Sequence, residues 1–189
     1  ADNNTAIGDN AMAANTTGTD NTAVGRNSLD ANTTGHSNTA IGEASLTTNT
    51  TGIRNTSIGK DSMVFNSTGG ENVAVGRSAL NANTTASGNT AIGDSALKAN
   101  TTADGNTAVG YNAGTSLTTG GINVAIGHSA LDASTNGQGN VAIGYLAATT
   151  MNGTNGKWNV AIGYNAMRDT DARFQNVAVG QNALTKNLA

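Results

Sequence analysis

One pentapeptide recurs throughout the chain. Asn-(Thr/Val)-(Ala/Ser)-(Ile/Val)-Gly begins at Asn4, Asn21, Asn38, Asn55, Asn72, Asn89, Asn106, Asn123, Asn140, Asn159 and Asn176. Every interval is 17 residues except that from Asn140 to Asn159, which is 19. A unit this short cannot bury a core by itself, so eleven of them predict a solenoid in which neighbouring coils share one interior. Composition agrees. The chain holds 31 Ala, 29 Thr, 28 Asn and 25 Gly in 189 residues, with 3% aromatics, too little bulk for a conventional globular core. Charged residues make up 11% and the net charge is −3, which is not the signature of a disordered chain.

Numbering each unit from its asparagine, position 4 is always Ile or Val, position 5 always Gly, and positions 3 and 8 always Ala or Ser. Position 9 is Leu or Met in nine units, Gly114 and Ala148 being the exceptions. Thr, Val and Ile at positions 2 to 4 are strand formers, and Gly at 5 supplies a turn. The Asn-Thr-Thr-Gly of positions 12 to 15 reads as turn chemistry. A coil of two short strands follows, the second around positions 8 and 9. Coils stacked about 4.8 Å apart give a rod of about 50 Å. Stacked asparagines at position 1 predict an amide ladder along it.

Two-fold alternation splits the strand into two faces. With the bulky residues of positions 2 and 4 assigned to the interior, position 3 faces outward. A strictly small residue on an outward face predicts another backbone close by. Ala6, Ala23, Ala40, Ala74, Ala91, Ala108, Ala125, Ala142, Ala161 and Ala178 are therefore the expected interface with neighbouring chains.

The Asn-Val-Ala-Ile-Gly of Asn123–Gly127, Asn140–Gly144 and Asn159–Gly163, followed by (Ala/Ser)-Leu, resembles the head repeats of YadA-like trimeric autotransporter adhesins. The resemblance covers all eleven units, although the family's coil is nearer 14 residues. It implies an all-β, left-handed parallel β-roll packed as a homotrimer. Similar 17-residue units look like those of phage tail fibres and other surface fibres. The expected function is a trimeric fibre segment, adhesin head or shaft, presenting binding surfaces to a host or target cell. The alternatives are a tail-fibre shaft or receptor-binding segment and, less expected, an ice-binding solenoid built on the Thr-Thr pairs of positions 13 and 14. The expected location is extracellular, on a cell-surface fibre anchored in the outer membrane or on a virion tail.

Little in the chain speaks for catalysis or cofactors. Without Cys there is no thiolate chemistry, and His36 and His128 belong to no metal-spacing motif. Asp169 and Asp171 lie among Arg168 and Arg173, as a solvated charge cluster would. No polybasic run suits nucleic acid, and no apolar run approaches a membrane span. The Asn-x-(Ser/Thr) triplets at Asn15, Asn32, Asn49, Asn66, Asn83 and Asn100 follow from the turn, and no glycan is expected on them. The expected partners are two further copies of the chain and a host-cell glycan or surface protein.

Two features rise above the scaffold. Position 6 changes from charged residues in the first six coils to Tyr111, His128, Tyr145 and Tyr164. The two-residue insertion of coil nine brings the sole tryptophan. Trp158, Tyr145, Tyr164, Lys157, Arg173 and Phe174 are the candidate ligand-binding residues. Neither terminus reads as a cap, so the chain is expected to continue into a longer fibre at both ends.

Overall fold

In a computed structural model the protein is an all-β solenoid without helices among the described residues, which are 1–151, 156–169 and 174–185. Eleven three-residue strands form one parallel sheet in chain order: β1 (Thr5–Ile7), β2 (Thr22–Val24), β3 (Thr39–Ile41), β4 (Thr56–Ile58), β5 (Val73–Val75), β6 (Thr90–Ile92), β7 (Thr107–Val109), β8 (Val124–Ile126), β9 (Val141–Ile143), β10 (Val160–Ile162) and β11 (Val177–Val179). Equivalent positions pair without offset, as in Ala23↔Ala40. The longer coil nine keeps that register, with Val160 opposite Val141.

The faces of the strand are the reverse of the sequence expectation. Position 3 points inward: Ala23, Ala40, Ala74, Ala91, Ala108, Ala125, Ala142, Ala161 and Ala178 are at most 3% exposed within the single chain. Only Ala6, in the first coil, is exposed. These alanines are therefore core residues and not a lateral interface. Positions 2 and 4 face outward instead, with Ile41 38% and Ile92 40% exposed. The reason is the width of the coil. Position 8 lies directly across from position 3, as the 2.8 Å hydrogen bond from Ser45 Oγ to Ser57 Oγ demonstrates. Two backbones that close leave room for Ala or Ser and no more. Ser57 is tolerated because Ser45 donates to it and it donates to the Ser62 carbonyl at 3.1 Å.

The second expected strand is also corrected. Positions 7 and 9 are left-handed in coil after coil, as in Asn27 (φ 55), Leu29 (φ 52), Ser78 (φ 55) and Leu80 (φ 51). The segment still bonds to its neighbours, Leu80 N donating to Ala96 O at 2.9 Å and Ala82 N to Lys98 O at 3.0 Å. A β-branched residue is heavily disfavoured at such φ. That is why position 9, wherever it is bulky, is Leu or Met and never Ile or Val. Gly at position 5 has a stricter reason: a Cβ on Gly93 (φ +134) would lie 2.4 Å from Gly110 O.

Two buried amide files hold the coils together. The position 1 asparagine accepts from the backbone N–H of its successor, as Asn38 N donates to Asn21 Oδ1 at 2.9 Å. Its own Nδ2 donates to the position 15 carbonyl, Asn21 to Gly35 O at 2.9 Å. Position 12 adds a second file through the first six coils, Asn49 Nδ2 reaching Asn32 Oδ1 at 2.9 Å and Asn66 Nδ2 reaching Asn49 Oδ1 at 2.8 Å. Both asparagines of one coil clamp the same carbonyl, since Asn32 Nδ2 also donates to Gly35 O at 3.0 Å. The expected ladder thus exists, and in duplicate.

Candidate functional site on the outward sheet face

The backbone alternates outward residues 17, 2, 4 and 6 with inward residues 1 and 3. In coil nine into ten this places Trp158, Val160, Ile162 and Tyr164 on the outer side, while Asn159 and Ala161 are buried at 1% and 0%. The same four files run the length of the rod. In early coils they read Asp20, Thr22, Val24, Arg26 or Arg54, Thr56, Ile58, Lys60. From coil eight on they turn apolar and aromatic: Ile122, Val124, Ile126, His128, then Gly139, Val141, Ile143, Tyr145.

Position 6 is held by ion pairs first and by rings later. Glu43 bridges Arg26 and Lys60, the latter at 3.2 Å, and Arg77 meets Asp94 at 2.9 Å. The guanidinium of Arg26, then the Lys60 ammonium, hold the Glu43 carboxyl below its ordinary pKa. From coil seven the expected ring column is present. Tyr111 and His128 have centroids 5.0 Å apart, His128 and Tyr145 5.2 Å, Tyr145 and Tyr164 5.4 Å, the last pair stacked within 9°. Stacking along the rod occupies both faces of His128 and Tyr145, so edges and hydroxyls are what these rings turn to solvent.

Trp158 is not beside the tyrosines. It begins the outward row that Tyr164 ends, at most about 20 Å away along the strand. Lys157 and Phe174 occupy position 16, where isolated parallel bridges join Gln138 to Lys157 and Lys157 to Phe174. Arg173 and Asp171 lie outside the described residues. Residues that sequence reasoning missed are Gly139 and Ile122, which share the position 17 file with Trp158. That file is left-handed throughout, with Asp20 (φ 58), Glu71 (φ 59), Ile122 (φ 60), Gly139 (φ +65) and Trp158 (φ 59). Its richness in Gly, Asp, Asn and Ser was the available signal.

The other candidate groups find ordinary partners. Asp169 pairs with Arg168 at 2.7 Å, and His36 Nδ1 lies 3.3 Å from Ser37 Oγ. Asn32, Asn49, Asn66, Asn83 and Asn100 are fully buried in the amide file, so those five triplets offer no side chain to a glycosyltransferase. The position 13 hydroxyls are committed as well, Thr33 Oγ1 donating to Thr50 O at 3.0 Å and Thr84 Oγ1 to Thr101 O at 3.0 Å. Among the described residues no His, Cys, Asp or Glu cluster suits a metal ion, and no helix is long and apolar enough to cross a membrane. Comparison of the chain with protein-family models, curated proteins and solved structures finds no match.

Proposed function

We propose that this chain is a segment of a homotrimeric surface fibre, an adhesin head or shaft on a cell or a tail-fibre shaft on a virion, which holds binding surfaces away from its anchor. It does no chemistry in this reading. Its mechanism is rigid, multivalent presentation. The observation that carries the proposal is the inversion of the strand faces. The inner coils bury Ala or Ser and one Leu or Met, yet turn their two β-branched residues outward, as at Val141 and Ile143 or Val160 and Ile162. The position 4 file is Ile or Val along the whole rod, and a continuous apolar file on a surface marks an interface. Its repeat along the axis matches another copy of the same rod laid parallel, coil against coil. A threefold arrangement follows the resemblance to trimeric adhesin heads. The commitment of the position 13 hydroxyls speaks against the ice-binding alternative, which needs that array free.

Adjacent residues of β7 give the test. Val109→Arg should leave the β spectrum intact and convert a particle of three times 18.7 kDa into monomer. Ala108→Arg, whose side chain must enter the interior, should abolish folding. A wild-type chain that is monomeric by light scattering would overturn the proposal.

A further inference from the structure

We infer that Trp158 is a stacking platform for an unbranched oligosaccharide of pyranose units lying along the fibre axis. The inference deepens the adhesive reading by naming a ligand class and a place for it.

Trp158 puts the largest side chain of the sequence on the left-handed position 17 file. It is left-handed (φ 59), a conformation that bulky residues seldom adopt, and it is 50% exposed. Its seat is Gly139, one coil earlier in the same file. A Cβ on Gly139 would lie 2.2 Å from Trp158 Cε3, 2.3 Å from Cζ3 and 2.9 Å from Cδ2. Those three distances put the missing methyl just above the Cε3–Cζ3 rim of the six-membered ring. The indole therefore takes the space that a side chain at position 139 would fill, and stays half exposed there. Backbone bonds stiffen the seat from both sides: Trp158 N donates to Gln138 O at 3.0 Å, and Gln175 N to Lys157 O at 3.2 Å.

An anchored, half-exposed indole suits the C–H face of a pyranose, because the electron-rich ring attracts polarised C–H groups. Tyr145 does not offer this, since His128 and Tyr164 flank it on both sides within its own column. Hydroxyl partners stand close in sequence: the exposed Gln175 amide follows Trp158 in its file, and Lys157 and Gln138 precede it and its seat. A second outward apolar residue, Ile122, is 61% exposed two coils away, about 10 Å along the axis. Its Cγ1 stands beside Gly105 of the preceding coil, 3.9 Å from where a Cβ would lie. A ligand that meets both residues is longer than one sugar and runs parallel to the rod.

Trp158 is the sole tryptophan, so its emission reports the site directly. The full chain is titrated with cellohexaose, chitohexaose and maltohexaose, following fluorescence and, in parallel, heat. At least one should give a saturable change. By calorimetry Trp158→Ala should weaken that binding at least tenfold and Trp158→Phe less. Gly139→Ala keeps the indole but dislodges it, and should weaken binding with a shifted emission maximum in the free protein. Light scattering on every variant separates this from the fibre proposal. If none of the three sugars binds, or if Trp158→Ala binds as wild type does, the inference fails. If Trp158→Ala instead changes the assembly mass, the indole is a chain–chain contact and the inference fails while the fibre reading stands.

Discussion

Leu117 follows Asn100 in the file where six coils stack asparagine, and it leaves the Asn100 Oδ1 buried with no hydrogen-bond donor. The switch coincides with a second one in the same coil, where position 9 is Gly114 in place of Leu or Met. A Cβ on Gly114 would already lie 3.1 Å from Leu117 Cδ1 and 3.0 Å from Leu97 Cδ2. Leu117 therefore fills the volume that Gly114 vacates. Coil nine repeats the exchange with Ala148 and Met151, both buried. Gly114→Leu alone should overpack, and Leu117→Asn alone should open a cavity although it supplies Asn100 with a donor. The double variant should recover most of both losses, with a coupling energy of about 1–3 kcal/mol by denaturant titration. Simple additivity would refute the exchange.

The amide files predict a steep cost for their loss. Asn72 accepts from Asn89 N at 2.9 Å and donates to Ala86 O at 2.8 Å, both buried. Asn72→Ala strands these groups and should destabilise by about 3 kcal/mol. Thr85→Ala, at the exposed position 14, should change stability by no more than about 0.5 kcal/mol. Equal effects would show that the ladder contributes nothing.

Left-handed backbone at the core leucines predicts an inverted preference among apolar residues. Leu80 is fully buried at φ 51. Leu80→Met should cost less than about 1.5 kcal/mol. Leu80→Ile, of equal volume, should cost about 2 kcal/mol through backbone strain. Thermal denaturation of the pair decides, and an isoleucine variant as stable as the methionine one would contradict the assigned backbone.

Two carboxylates should give opposite pH responses. The Glu43 pKa is depressed, chiefly by its hydrogen bond from Arg26, so its contribution is present above the ordinary glutamate pKa and lost as pH falls through the depressed one. The contribution is small and should vanish in high salt, because the group is exposed. Burial raises the Asp132 pKa, so its penalty is complete above the raised value and disappears on acidification. Asp132→Asn should melt higher than wild type at neutral pH and alike in acid. Melting curves of the Glu43→Gln and Asp132→Asn variants across this range provide the check.

The period, the strand, the Gly turn and the position 1 ladder were all legible, because each repeats in one column and stacking makes a column interact with itself. Which face is inside was not. Both faces of Val141-Ala142-Ile143 are apolar, so alternation yields two candidate interiors, and the usual preference for burying bulk chooses the wrong one. The deciding quantity is the separation between positions 3 and 8, which belongs to the closed coil and not to any local pattern. The second segment was misread for a similar reason: Leu29 and Leu80 adopt a glycine-like φ without being glycine. The total exclusion of Ile and Val from position 9 was the legible trace of it. The ring column was readable from spacing alone, whereas the seat of Trp158 depends on Gly139, a residue whose contribution is the side chain it lacks.

The zero offset between strands has a genetic consequence. A block such as residues 38–54 can be removed whole, joining Ser37 to Asn55, and every column stays filled with residues of its own kind. Unequal recombination between near-identical repeats therefore shortens or lengthens the rod in steps of one strand spacing without creating a misfit. Lineages carrying this gene are free to vary the length of the rod by copy number, while residues such as Trp158 travel intact within their own coil.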